Sequence, residues 1–188
     1  MSLVLASASP RRRELLSHFT ADFILDPAAG PENPPAGASP EDTVKALSAA
    51  KAAEAAARHP GDIVIGADTV VELDGVILGK PSDRADAARM LRALSGREHR
   101  VYTGVTLVRG DAVLSEAEMT RVFFRPMTDR EIDAYIDSGE PMDKAGAYGY
   151  QGLAGLFVER IEGDFFNVVG LPLCRLGRML NTLGVTLL

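Results

Sequence analysis

The stretch DIVIGADTVVELDGVILGK, residues 62–80, decides what kind of sheet this chain builds. Residues 62–73 are almost continuously apolar, the pattern of a strand buried on both faces. Asp74-Gly75 then offers the two left-handed positions of a tight hairpin turn, and VILGK reads as the returning strand. Elsewhere strands alternate with helices. A hairpin inserted into that alternation predicts an α/β fold with a mixed sheet rather than a purely parallel one.

Working outward, residues 2–6 read as a strand and 10–18 as a helix with Leu15, Leu16 and Phe19 on one face. A second strand is expected at 22–25. The Pro/Gly-rich segment DPAAGPENPPAGASP, residues 26–40, reads as a loop. Ser39, Pro40, Glu41 and Asp42 start a long helix that reaches about Arg58, with Val44, Leu47 and Lys51 on one face. Ser82 is expected to cap the next helix, whose Ala87, Met90, Leu91 and Leu94 form the inner stripe and which Gly96 stops. Two long strands flank Gly110-Asp111. Thr128 and Glu131 form a capping box for a short helix ending at Gly139. Glycines 146, 149, 152 and 155 mark an irregular segment before the strand LFVERI. Pro172 opens a last helix with Leu173, Leu176, Leu180 and Leu183 inside.

The chain has 188 residues, 46% hydrophobic and 24% charged, a globular composition sized for one domain or two small lobes. No apolar run approaches the ~20 residues of a membrane span, and no signal peptide is expected at the N-terminus. The single cysteine, Cys174, excludes an internal disulfide and reads as a buried structural thiol. These features suit the cytoplasm. The net charge of −6 argues against a general nucleic-acid binder. Nothing demands a homodimer, and the sequence leaves one open.

Three ionisable residues resist a purely structural account. Asp68 interrupts the apolar strand, where an unpaired carboxylate costs several kcal/mol, on the order of the price of any buried ion. It either caps a strand end or serves as a metal ligand or general base, beside small residues (Gly66, Ala67) that leave room for substrate. Lys51 either snorkels to solvent or contacts a ligand. Lys80, between a strand and a helix, is either a solvated loop lysine or a ligand contact. Glu32 reads as an exposed loop acid that could also reach a metal. Around Gln151 the glycines fit either close approach to a ligand or tight turns. His18, His59 and His99 have no metal-ligand spacing and read as surface or helix-end residues.

SASPRRR, residues 7–13, places Arg11, Arg12 and Arg13 in a first helical turn, where the helix dipole disfavours cations. An anion between them reverses that preference. Ser7 and Ser9, backbone N–H groups and arginine forks then read as a phosphate cradle. A solvated basic turn suits Arg13 best, whereas Arg11 or Arg12 should point inward with Leu15 and Leu16. Cradle, lysines and acids together suggest phosphoryl chemistry on a polyphosphate with a divalent metal.

LASASPRRRELL, SPEDTV, AKA, GADTVV, GKPSD, ML..LSGREHRVYTGV, SGEPMDKAGAYGYQG and GDFFNVVGLPL occur in this order along the chain. In this the sequence resembles the Maf family of nucleoside triphosphate pyrophosphatases, once called septum formation inhibitors. The resemblance implies a single domain over residues 1–188, an elongated, twisted mixed α/β sheet flanked by helices. Its two lobes would enclose a substrate cleft, as in the similar inosine triphosphate pyrophosphatases. It implies hydrolysis of a nucleoside triphosphate between the α and β phosphates, with Mg²⁺ or Mn²⁺. Asp68 would be the proton acceptor near the metal, and Glu32 would help bind the metal. Ser7, Arg12, Arg13, Lys51 and Lys80 would contact phosphates. Arg11, Thr69 and Gln151 would select the base. DKAGAYGYQG resembles the subgroup acting on dTTP and UTP, and on modified pyrimidine nucleotides. Tyr150 stands where an aliphatic residue is common, and PEN replaces a more acidic loop sequence. The alternatives are a 7-methyl-GTP or purine triphosphate pyrophosphatase, and a regulatory binding protein of cell division.

Overall fold

The computed structural model describes residues 1–186. Its strands are β1 (Leu3–Leu5), β2 (Phe23–Leu25), β3 (Ile63–Leu73), β4 (Val76–Leu78), β5 (Glu98–Arg109), β6 (Ala112–Phe124) and β7 (Val158–Glu162). They form one seven-stranded sheet in the order β2-β1-β3-β5-β6-β7, with β4 paired to β3. β1 runs parallel to both β2 and β3, while β4 on β3 and β7 on β6 are antiparallel. The sheet is therefore mixed, as the hairpin at residues 62–80 requires. Asp74 and Gly75 take φ values of 53° and 81°, the left-handed pair that such a turn needs.

The helices are α1 (Pro10–Ser17), α2 (Pro40–Ala56), α3 (Arg84–Leu94), α4 (Asp129–Asp137), α5 (Phe165–Val169) and α6 (Leu173–Thr182). Their ends follow local chemistry. Ser39 Oγ accepts the Asp42 N–H at 3.1 Å to start α2. Thr128 and Glu131 close a reciprocal capping box on α4. The cap of α3 is Asp83, not Ser82: its carboxylate accepts the Asp86 N–H at 2.8 Å. The Ser82 N–H instead donates to Asp86 Oδ2. Gly96, with φ of 67°, ends that helix as expected.

The chain divides into two compact units, and the division falls inside β3, β5 and β6. The first comprises residues 1–69 and 103–118 and the described residues from 170 on. One part of its core is Val4, Ala6, Ala52, Ala55, Val64 and Val108, which packs α2 on the sheet. Gly66 in β3 and Gly104 in β5 make that packing close. A Cβ on Gly66 would overlap the Ser48 carbonyl oxygen, and one on Gly104 would overlap the Val44 carbonyl. The space beside Gly66 thus belongs to α2, not to a substrate as its small size suggested. The second unit comprises residues 70–102 and 119–169. Its core gathers the α3 stripe Ala87, Met90, Leu91 and Leu94 with Ile132 and Ile136 of α4 and Val122 and Phe124 of β6.

Three burial expectations are corrected. Cys174 is exposed, because the inner face of α6 is Leu176, Met179 and Leu180. Phe19 lies past the end of α1 and is exposed. His99 is buried, since β5 alternation puts it inward with Val101 and Thr103. Its Nε2 lies 2.8 Å from the Tyr148 hydroxyl, and desolvation pushes its pKa down to about 3.

Candidate active site

The site residues of the first unit gather at the end of β1, the start of α1, the middle of α2 and the middle of β3. Asp68 is inside the strand and almost buried, so it needs a partner. The partner is Lys51, one side of α2 away, whose ammonium donates to Asp68 Oδ1 at 2.6 Å. The close approach of α2 over Gly66 sets that distance, because Ser48 and Ala52, which bracket Lys51, are the residues in contact with Gly66. The same ammonium lies 2.6 Å from Glu32 Oε1. One cation therefore joins a buried carboxylate to one whose side chain is 55% exposed.

Glu32 is carried by the long loop, and the beginning of that loop is fixed. The Ala29 and Gly30 N–H groups donate to the Glu54 carboxylate of α2 at 2.8 and 3.0 Å. These backbone bonds, more than the neighbouring Arg58, hold the Glu54 pKa below its ordinary value. Asp26 is tied to Arg58 at 2.8 Å and to His59 at 2.9 Å. As expected, the segment is a loop, anchored at its start, that brings an acid to Lys51.

The arginine cluster resolves residue by residue. Arg12 turns inward and makes four hydrogen bonds. Its Nε–H donates to the Gly170 carbonyl at 2.8 Å, Nη1 to Ala67 O at 2.9 Å and Ser7 Oγ at 3.2 Å, and Nη2 to Thr69 Oγ1 at 2.9 Å. Burial lowers its pKa from the usual arginine value; the Asp68 charge opposes that shift and Arg11 adds to it. Here Arg12 joins the β1–α1 turn to β3 on both sides of Asp68 and to the lead-in of α6. Ser7 Oγ accepts from Arg12 and from the Ser9 N–H at 3.2 Å, so those bonds leave its own O–H to donate outward. Arg11 is half-buried and Arg13 exposed. Thr69 Oγ1 also lies 2.9 Å from Thr103 Oγ1 of β5, a partner the sequence did not single out. Gly170 was missed too, because it contributes a carbonyl rather than a side chain.

Ser7, Arg12, Glu32, Lys51, Asp68 and Thr69 are thus brought into one linked set. Lys80 and Gln151 belong to the second unit. Lys80 is exposed just after β4, where the neighbouring Gly79 carbonyl accepts the Gly146 N–H at 3.0 Å. Gln151 is exposed on a tight turn closed by the Gly152 N–H on the Gly149 carbonyl at 3.0 Å.

Among the described residues no group of three or more His, Cys, Asp or Glu side chains is placed to cage a metal ion. Glu32 and Asp68 nevertheless offer hard oxygen donors within reach of one ammonium. That donor set fits Mg²⁺ or Mn²⁺, which needs only one or two carboxylates when phosphates and water complete the shell. No helix of the described residues is long and apolar enough to cross a membrane.

The family model described as Maf-like protein matches residues 2–183. The chain is 52% identical over 185 residues to a dTTP/UTP pyrophosphatase of Koribacter versatilis, covering 98% of this chain and 96% of that one. It is 50% identical to a dTTP/UTP pyrophosphatase of Symbiobacterium thermophilum, over 97% of this chain and 94% of that one. A third, from Thermococcus gammatolerans, is 54% identical over 91% of each chain. A solved HAM1 protein from Coxiella burnetii is similar at 18% identity and a TM-score of 0.46, over 65% of this chain and 72% of that one.

Proposed function

Because this chain belongs to the Maf-like protein family, we propose that it is a nucleoside triphosphate pyrophosphatase acting on dTTP and UTP. The observation that carries the reading is the buried Asp68 carboxylate, held by Lys51 beside Arg12 and Ser7. Hydrolysis needs a proton acceptor next to cations. A phosphoanhydride releases charge onto its leaving pyrophosphate, and cations stabilise that charge. Asp68 takes the proton of the attacking water. Ser7, Arg12, Arg13, Lys51 and Lys80 bind phosphate oxygens, and Arg11, Thr69 and Gln151 discriminate the base. Glu32 and Asp68 would hold the divalent cation, which when bound neutralises phosphate charge. Modified pyrimidine triphosphates fall within the same substrate class.

The bond cleaved is the test. Hydrolysis of UTP in ¹⁸O-water, read by mass spectrometry, is expected to give UMP and pyrophosphate, with the label in one of these two products. UDP and labelled inorganic phosphate would overturn the assignment. Lys80→Ala is expected to raise KM for UTP about tenfold or more, as loss of a charge-assisted phosphate contact does. Unchanged kinetics would remove Lys80 from the site.

A further inference from the structure

The turn that carries Gln151 is tied at both ends to one pair of side chains. The Gly149 N–H donates to the Tyr135 hydroxyl at 3.1 Å, and that hydroxyl donates to Glu140 Oε1 at 2.8 Å. The other carboxylate oxygen, Oε2, accepts the Leu153 N–H at 3.0 Å. Gln151 therefore projects from a loop whose first and last anchors converge on a single carboxylate. Two glycines let the backbone come this close. A Cβ on Gly152 would overlap the Glu140 carboxylate, and one on Gly149 would overlap the Lys144 side chain. Lys144 is itself pinned, with Nζ 2.6 Å from the Glu140 carbonyl and 2.6 Å from Asp143 Oδ1. Tyr135 is buried, with its ring edge-on to Phe157 at 5.4 Å between centroids.

The anchors of the turn, from α4 and the residues after it, include none of the proposed phosphate contacts Ser7, Arg12, Arg13, Lys51 and Lys80. What they restrict is the direction of the tip, where Tyr150 is half-buried and Gln151 exposed. We propose that Tyr135 and Glu140 are positioning residues for nucleobase selection: they hold the 149–153 turn so that the Gln151 amide meets the pyrimidine edge in one orientation. This rests on the reading of the chain as a dTTP/UTP pyrophosphatase with Gln151 at the base. A base is read through a few hydrogen bonds. An amide free to swing loses discrimination before it loses chemistry.

Tyr135→Phe removes the hydroxyl and keeps the ring. Gly152→Ala displaces the carboxylate without touching it chemically, at a residue whose φ of −105° alanine accepts. Glu140→Gln keeps one acceptor and serves as the conservative rescue. Each variant would be assayed on dTTP and dCTP, inhibited with inorganic tripolyphosphate, and followed by amide hydrogen exchange at Gly149 and Leu153. The expected result for Tyr135→Phe and Gly152→Ala is faster exchange at those amides and a dTTP/dCTP preference reduced about tenfold. Most of that change should fall in KM for dTTP, and tripolyphosphate inhibition should be unchanged because that ligand has no base. Glu140→Gln should keep more of the preference than either Tyr135→Phe or Gly152→Ala. Faster exchange with an unchanged preference overturns the proposal, and so does a parallel loss of tripolyphosphate inhibition. Wild-type protein that hydrolyses neither dTTP nor UTP overturns the underlying reading and this inference with it, a failure seen before any variant is made.

Discussion

Asp68 and Lys51 form one ion pair, and each explains the position of the other. A carboxylate with 9% of its side chain exposed is retained in an apolar strand because an ammonium stands 2.6 Å away. Asp68→Asn keeps the shape and removes the base. It should lower kcat for UTP by about 10² to 10⁴, the range for loss of a general base, with circular dichroism and melting temperature close to wild type. Near-normal turnover in the folded variant would remove Asp68 from the chemistry. Lys51→Met leaves that carboxylate without its cation. It should cost about 1–3 kcal/mol of stability in urea unfolding, as well as activity. His99 gives a prediction apart from the site. Its folded pKa of about 3 lies below the ordinary imidazole value of 6.5. The unfolded chain therefore binds a proton that the native state refuses. Stability attributable to this residue is full above about pH 6.5 and declines as pH falls toward 3. Imidazole NMR between pH 7.5 and 5 should show the His99 signals stationary. Titration of His99 in that window would show it to be solvated.

At the scale of elements, much was legible and the reasons are local. The Asp74-Gly75 turn, the Ser39 cap and the Thr128–Glu131 box all depend on neighbours within three residues, so the sequence displays them directly. The β5 alternation that buries His99 was equally visible, and only the habit of placing histidines at surfaces hid it. Arg12 was different. Apart from Ser7, its acceptors lie 55, 57 and 158 residues away, and no spacing rule reaches that far. The five-residue helix α5 is too short for periodicity to reveal. The contact of α2 with Gly66 also spans separate elements, and it carries a prediction. Gly66→Ala should push α2 off β3, at about 1–3 kcal/mol of overpacking. Lys51 should withdraw from Asp68 as it does so. Lower kcat together with an earlier urea midpoint is expected. A variant with both unchanged would show that the helix does not set the ion pair.

For the molecule as a whole, the mixed sheet and the buried ion pair emerge from the same few constraints. Apolar strands fix the sheet, and small residues bring a helix onto it. The helix then delivers the one cation that a buried acid requires. Family membership places that arrangement in a Maf-like protein. A divalent cation held as proposed by Glu32 and Asp68 would make turnover sensitive to chelation. Dialysis against EDTA should abolish hydrolysis, and added Mg²⁺ or Mn²⁺ should restore it; full activity after exhaustive chelation would contradict that role. One hydrolysis panel tests the proposed pyrimidine triphosphate pyrophosphatase activity. Purified protein with Mg²⁺ or Mn²⁺ would be given dTTP, UTP, CTP, GTP, ATP, ITP and 7-methyl-GTP, and the products separated. Monophosphate and pyrophosphate from dTTP and UTP ahead of the others is the predicted result. Preference for 7-methyl-GTP or ITP, or no turnover of any triphosphate by folded protein, would contradict it.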